Sequence, residues 1–227
     1  PDVADVFRDR VMFPIRDATG AMVGFGGRQM PGGRDPKYRN SSQTPVYDKS
    51  RVLYGLHAAK RAISTHGFVL VCEGYTDVVG FSIAGFDNAV ATCGTAMTEE
   101  HVKLLTRSTR RFVVAFDADS AGQAATERLH QWERTHKLDV TVVELGEGQD
   151  PGQLAVDDPD ELRQRVERAR PFFAYLAERV LGRHEVGDSA TPVRRDRAAD
   201  ELADVFAVYS ADTVADADLT AVAGALP

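Results

Sequence analysis

Asp117 and Asp119 stand two residues apart directly behind the apolar run Phe112-Val113-Val114-Ala115-Phe116. At a strand end that spacing sends both side chains from the same face. Like charges held so close raise each other's pKa and repel unless a cation sits between them. Hard oxygen donors of this kind suit Mg²⁺ or Mn²⁺. Two other apolar runs deliver carboxylates in the same way. Phe68-Val69-Leu70-Val71-Cys72 runs directly into Glu73-Gly74, and residues 140–145 lead through Gly146-Glu147-Gly148-Gln149 to Asp150-Pro151. In an open parallel sheet, ligands bind outside the carboxyl ends of the strands, so carboxylates placed there carry more weight than others. Each also has a plainer reading. Asp119 before Ser120-Ala121-Gly122 is a fair helix N-cap, and Asp150 is one with Pro at the first helical position. Asp77, four residues beyond Glu73, shares its side of the chain and equally suits the positive end of a helix. For a single Asp the cap wins; for the Asp-x-Asp pair with Glu73 and Asp150, metal binding is the better account. Gly74, Gly94 and Gly122 each follow a strand and would let a phosphate approach the backbone, but no dinucleotide-binding or Walker-type glycine run is present.

These residues need a sheet to hold them. Strand patterns cover residues 68–72, 88–92, 111–116 and 139–145, and helical patterns cover 53–66, 75–84, a segment opening at Thr98 and one from Ser120 to about His136. Alternation of this kind predicts βαβ units, a mainly parallel sheet and right-handed crossovers that place helices on both faces. Ahead of it, residues 11–16 and 21–25 alternate around Asp17-Ala18-Thr19-Gly20 and read as a β-hairpin. Residues 29–45, rich in Gly, Pro, Arg, Asn and Ser, read as an ordered or semi-ordered loop, of a length and composition typical of binding loops or of disorder. After Asp160 the pattern is helical throughout: 160–183 with a break at Pro171, 191–209, and a weaker 211–225. The expected fold class is therefore α/β, with a small β-rich N-terminal subdomain over 1–52, the metal-binding sheet domain over 53–158 and a helical subdomain over 159–227.

Charge is distributed unevenly. The chain of 227 residues has a formal net charge of −7, yet residues 1–61 carry 11 Lys/Arg against 6 Asp/Glu, and residues 112–227 carry 12 against 23. A polyanion responds to the local field within a Debye length, so the basic front is compatible with nucleic acid despite the acidic total. The two cysteines, Cys72 and Cys93, sit in apolar segments without metal-ligand or redox spacing, the pattern of buried thiols in a reducing cytoplasm. No apolar run approaches a membrane span and no signal-peptide pattern opens the chain, so no membrane association is expected. Pro1 runs straight into folded-looking sequence, the pattern of a fragment of something longer.

A Glu after one strand and an Asp-x-Asp after a later one resemble the Toprim family of primases, topoisomerases and related nucleases. The match is closer to the DnaG-type bacterial primase family. Val11-Met12-Phe13-Pro14-Ile15, Gly24-Phe25-Gly26-Gly27-Arg28, Lys37-Tyr38-Arg39-Asn40-Ser41, Leu53-Tyr54-Gly55-Leu56, Glu73-Gly74-Tyr75-Thr76-Asp77-Val78, Gly94-Thr95-Ala96 and Asp117-Ala118-Asp119-Ser120-Ala121-Gly122 follow that family's order over about residues 6–155. The resemblance implies a Rossmann-like Toprim sheet and template-directed synthesis of short RNA primers on single-stranded DNA. It implies that Glu73, Asp77, Asp117, Asp119 and Asp150 form the acidic cluster for more than one Mg²⁺ or Mn²⁺. Of these, Asp117, Asp119 and Asp150 would be ligands, and Glu73 a further ligand or the proton acceptor. Arg28, Lys37, Asn40 and Lys49 would line a basic groove for the template and for ribonucleoside triphosphates. It further implies a replicative helicase as partner, through a domain outside this chain, with the family's zinc-binding module also outside it.

The chain departs from the family pattern at Gly152, where a further Asp is common, so that one ligand of a metal shell would be missing or replaced by water, and at Arg39, Ser42 and Gln43. Two rival readings remain. One is another Toprim enzyme, a topoisomerase or nuclease; a topoisomerase would need a tyrosine nucleophile in a separate domain, and none of the six tyrosines sits in a recognisable cleavage module. The other is a non-catalytic metal- or nucleotide-binding module, a degenerate primase-like segment of a larger protein; the intact Glu73 and Asp117/Asp119 argue against such decay.

Overall fold

A computed structural model of the chain describes residues 5–33, 35–92, 94–116, 129, 131–133, 135–146, 148–186 and 190–207. Its first unit is a three-stranded antiparallel sheet of β1 (Arg10–Arg16), β2 (Met22–Gln29) and β3 (Tyr38–Asn40) in that order. The hairpin expected around Asp17 is present because that carboxylate organises the turn: its Oδ1 accepts from the Thr19 N–H (2.8 Å), the Thr19 hydroxyl (2.7 Å) and the Ala21 N–H (3.0 Å). The strand β3 lies inside what the composition predicts as loop. Three residues are too few for a period to show; register with β2, from Gly26 opposite Asn40 to Arg28 opposite Tyr38, makes it a strand.

Among the described residues the larger sheet has five strands, in the order β5 (Ala89–Ala91), β4 (Val69–Cys72), β6 (Arg111–Val114), β7 (Asp139–Val142) and β8 (Arg170–Pro171). The first four are mutually parallel, so their carboxyl ends share one edge of the sheet; β8 is antiparallel. Strand period splits the core between two faces. Val69, Val71, Phe112 and Val114 point to one side with α1 (Leu56–His66) and α3 (Glu99–Leu105), where Leu129 and Leu138 also pack. Leu70, Cys72, Ala89 and Ala91 point to the other, against α2 (Tyr75–Ile83), α4 (Pro151–Asp157) and α5 (Pro159–Glu167). The small sheet joins this second face through Ile15, with Tyr47 beside it. The chain thus has the expected α/β architecture, a mainly parallel sheet covered by helices on both faces.

Several boundaries differ from the sequence expectation: β2 runs on to Gln29, β6 ends at Val114 and β7 at Val142. Helix α1 starts at Leu56 rather than 53, because Tyr54 exchanges both backbone hydrogen bonds with Ala91 at the edge of β5. The break expected at Pro171 is present, and it takes the form of β8, a two-residue edge strand where Pro171 lacks an N–H the ladder does not require. Leu162 and Val166 of α5 are buried in the second face, and Phe172 and Leu176 of α6 (Phe172–Arg183) in the first. The opposite side of α6 makes a separate cluster with Ala198 and Leu202 of α7 (Pro192–Phe206). The helix expected from Ser120 is described only at its end, where 131–133 and 135–136 are helical; the helix expected over 211–225 lies outside the described residues. Among the described residues no helix is long and apolar enough to cross a membrane.

Candidate functional site

The acidic wall is built by two helix N-termini at the carboxyl edge of the parallel strands. Glu73 follows β4 without a gap, half-buried. Asp77 sits at the third position of α2 and reaches back, so that the Gly74 N–H donates to its Oδ2 at 2.8 Å. Only 5% of Asp77 is exposed, which makes it a buried carboxylate tied to the backbone. Asp150 caps α4, its Oδ1 accepting from the Gln153 N–H at 2.8 Å, with Pro151 next in the chain. The capping and site readings of Asp77 and Asp150 are therefore compatible: the cap fixes the orientation of a carboxylate that also lines the site. The helices bearing them meet at glycines. A Cβ on Gly80 would come within 2.8 Å of the Pro151 carbonyl oxygen, and one on Gly152 within 3.1 Å of Thr76 backbone and Cβ atoms. Where the family often carries Asp, Gly152 is a point of close helix packing.

The opposite wall comes from the small sheet. The Tyr75 hydroxyl donates to Asn40 Oδ1 (2.9 Å), and the Tyr38 and Thr76 hydroxyls share a hydrogen bond of 3.2 Å. Tyr75 stacks on Phe13 with centroids 4.9 Å apart and stands edge-on to Tyr54 at 4.7 Å. Gly26 gives this ring its place, because a Cβ there would lie 2.3 Å from Tyr75 Cζ. The cations of Arg28 and Lys37 lie 5.6 and 5.8 Å from the Tyr38 ring centre, within cation–π range.

Between the walls is a cavity of about 450 Å³. It brings together Arg28, Lys37, Asn40, Glu73, Asp77 and Asp150, and its lining also includes Tyr38, Tyr75, Thr76, the 94–97 loop and Phe116. Lys49 is not among the lining side chains; its carbonyl oxygen lies 2.9 Å from His101 Nε2. Asp117 and Asp119 lie outside the described residues, although Phe116, which precedes them, lines the cavity. Sequence patterning did not single out Tyr38, Tyr75, Thr76 or His101 as site-building residues. Tyr38 and Tyr75 stood within the quoted motifs, but their pairing across 35 and 38 residues leaves no periodic signal.

A divalent ion suits the donor chemistry of the acidic wall, since Glu73, Asp77 and Asp150 offer only hard carboxylate oxygen. Among the described residues, however, no group of three His, Cys, Asp or Glu side chains is arranged to hold a metal. Asp117 and Asp119, the carboxylates that the sequence pattern groups with these, lie outside the described residues.

Comparison with known proteins gives a consistent result. Residues 1–60 match the model of the DNA primase catalytic core, N-terminal domain, and residues 67–144 match the Toprim domain. The DNA primase of Streptomyces coelicolor is 37% identical over 210 residues, covering 89% of this chain and 32% of the relative. That of Escherichia coli K12 is 38% identical over 197 residues, covering 85% and 33%. The chain thus spans about a third of the length of the curated relatives it matches. A crystallised DNA primase domain from Pseudomonas aeruginosa superposes with a TM-score of 0.79 at 35% identity, covering 97% of this chain and 69% of that one. A DnaG primase catalytic domain bound to single-stranded DNA superposes at 0.80 and 33% identity, covering 97% and 71%. With its acidic and basic walls on the corresponding fold, this chain belongs to the family of bacterial DnaG-type DNA primase catalytic cores, built around a Toprim domain.

Proposed function

We propose that this chain is part of an enzyme that synthesises short RNA primers on single-stranded DNA by metal-dependent nucleotidyl transfer. The observation that carries the reading is the two-walled cavity, with the carboxylates of Glu73, Asp77 and Asp150 on one side and Arg28, Lys37 and Asn40 on the other. The single-stranded DNA on the similar DnaG domain supports the template assignment.

Glu73, Asp77, Asp117, Asp119 and Asp150 would hold Mg²⁺ or Mn²⁺, more than one ion in all. Bound there, the metal would lower the pKa of the attacking 3′-hydroxyl and neutralise charge on the triphosphate and the departing pyrophosphate. The protein's own part is positioning. Arg28, Lys37 and Lys49 hold phosphates, an attraction that ignores sequence and weakens with salt. Asn40, oriented by the Tyr75 hydroxyl, binds beside them. Glu73 serves as a further metal ligand or accepts the hydroxyl proton. In the cytoplasm the parent protein would take ribonucleoside triphosphates as substrates and meet a replicative helicase through a region outside this chain.

The test is a calorimetric titration with Mn²⁺ of the chain and of its Asp117→Asn/Asp119→Asn variant, the variant shown to be folded by circular dichroism. Priming by the full-length protein carrying the same substitutions is assayed alongside. Binding and priming that both disappear in the variant support the reading. Undiminished metal binding in the variant rules out this ligand set, and a full-length parent that binds metal without extending a primer leaves a non-catalytic module.

A further inference from the structure

We propose that His101 is a positioning residue for phosphate binding, clamping the turn that carries Lys49 onto the loop that lines the cavity. The inference rests on the reading of Lys49 as a phosphate contact. His101 is wholly buried, at the third position of α3, where a capping box ordinarily places Glu or Gln to accept from the cap N–H. The imidazole does that much through Nδ1, which accepts from the Thr98 N–H at 3.2 Å. A carbonyl oxygen only accepts, so the contact of Nε2 with the Lys49 oxygen at 2.9 Å requires the proton on Nε2, and both bonds call for the same neutral tautomer. The second bond joins residues 52 apart and adds nothing to the capping of α3.

The next carbonyl is held as well. The Thr98 hydroxyl donates to the Ser50 oxygen at 2.6 Å and accepts from the His101 N–H at 3.2 Å. Within the turn, Asp48 Oδ1 accepts from the Ser50 N–H (2.9 Å) and hydroxyl (2.7 Å). Two successive carbonyls around Lys49 are therefore fixed to one helix cap, and the residues just before that cap, Gly94 to Met97, line the cavity. A long lysine side chain loses conformational freedom when it meets a phosphate; a backbone fixed beforehand spares the complex the further cost of ordering the turn.

The three substitutions that separate this from plain helix capping are His101→Gln, His101→Glu and His101→Ala, each checked for folding by circular dichroism. Gln offers an acceptor and a donor about as far apart as the two ring nitrogens. Glu keeps the capping acceptor and loses the donor; Ala loses both and serves if the buried Glu prevents folding. Trypsin cleavage after Lys49 and Arg51 reads the clamp directly. Single-stranded DNA affinity against salt, with and without Lys49→Ala, reads its use. We expect Lys49→Ala to lower affinity several-fold and to make the salt slope shallower by about 0.7, the share of one phosphate on a single strand. His101→Ala or His101→Glu should produce the same slope change and faster cleavage, with no further slope change when Lys49→Ala is added, while His101→Gln behaves like the parent. Full retention of the Lys49 contribution in His101→Ala overturns the proposal. An unchanged slope in Lys49→Ala overturns it too, by taking Lys49 out of the groove, and leaves the metal-centred reading to its own titration.

Discussion

Gly26→Ala should open the joint between the two walls. The added Cβ would lie 2.3 Å from Tyr75 Cζ and 2.5 Å from its Cε2 and hydroxyl oxygen. The ring has little room to yield, being 2% exposed, stacked on Phe13 and edge-on to Tyr54. Overpacking of this kind costs about 1–3 kcal/mol, and displacing the ring also breaks the hydroxyl bond to Asn40, worth about 0.5–1.5 kcal/mol. The more restricted unfolded chain of the alanine variant offsets about 0.4–1 kcal/mol. A net loss of about 2 kcal/mol is expected, read in urea as a lower midpoint with an unchanged slope. Tyr75→Phe should cost only about 1 kcal/mol, since it removes the bond and leaves the packing. On a Tyr75→Ala background the clash has no partner, so Gly26→Ala should there cost less than about 0.5 kcal/mol. An equal cost of Gly26→Ala on both backgrounds would refute the reasoning, because the loss would then come from the β2 backbone and not from the ring.

Gly152→Asp, which restores the residue common in the family, should lower the urea midpoint without tightening Mn²⁺ binding in calorimetry, because its Cβ would lie 3.1 Å from Thr76 backbone atoms. His101 is held below its ordinary pKa of 6.5 by burial, with the Lys49 and Val52 backbone and the charge of Asp48 acting in the opposite direction. The neutral form is the folded form, so its stabilising contribution is present above about pH 6.5 and is lost as pH falls through the lower folded value. Urea midpoints should therefore drop on acidification more in the parent than in His101→Gln. Lys37→Ala should weaken single-stranded DNA binding alike for all sequences and make its salt slope shallower by about 0.7, as measured by titration at several salt concentrations.

The sheet was legible because its signals are local. Apolar runs such as 68–72 and 111–116 announce buried parallel strands, and the rule that ligands gather at carboxyl ends drew Glu73 and Asp150 together before any contact was known. Asp77 was legible only as an ambiguity, since helix capping and ligand binding ask for the same residue at the same place. What stayed hidden depends on pairing across long separations. The strand β3 exists by register with β2, and Tyr75 meets Asn40 over 35 residues. Gly152 read as a missing ligand because sequence reports the absence of a side chain and not the backbone packed against it. The second nitrogen of His101 was invisible for a similar reason: position 101 announces a helix start, and the carbonyl it holds lies 52 residues earlier.

The two outer strands of the large sheet have a consequence for how the protein behaves in a crowded solution. A strand edge with unpaired N–H and C=O groups is a template on which another chain can add, the first step toward β-aggregation. Here one edge is occupied, because Tyr54 takes both backbone hydrogen bonds of Ala91 on β5. The other is β8, only two residues long, whose second residue is a proline and passes at once into α6. Among the described residues, each side of this sheet thus offers at most a short stretch of backbone to a further strand. The valine-rich parallel sheet therefore ends, among the described residues, on both sides in a strand that is short or already bonded.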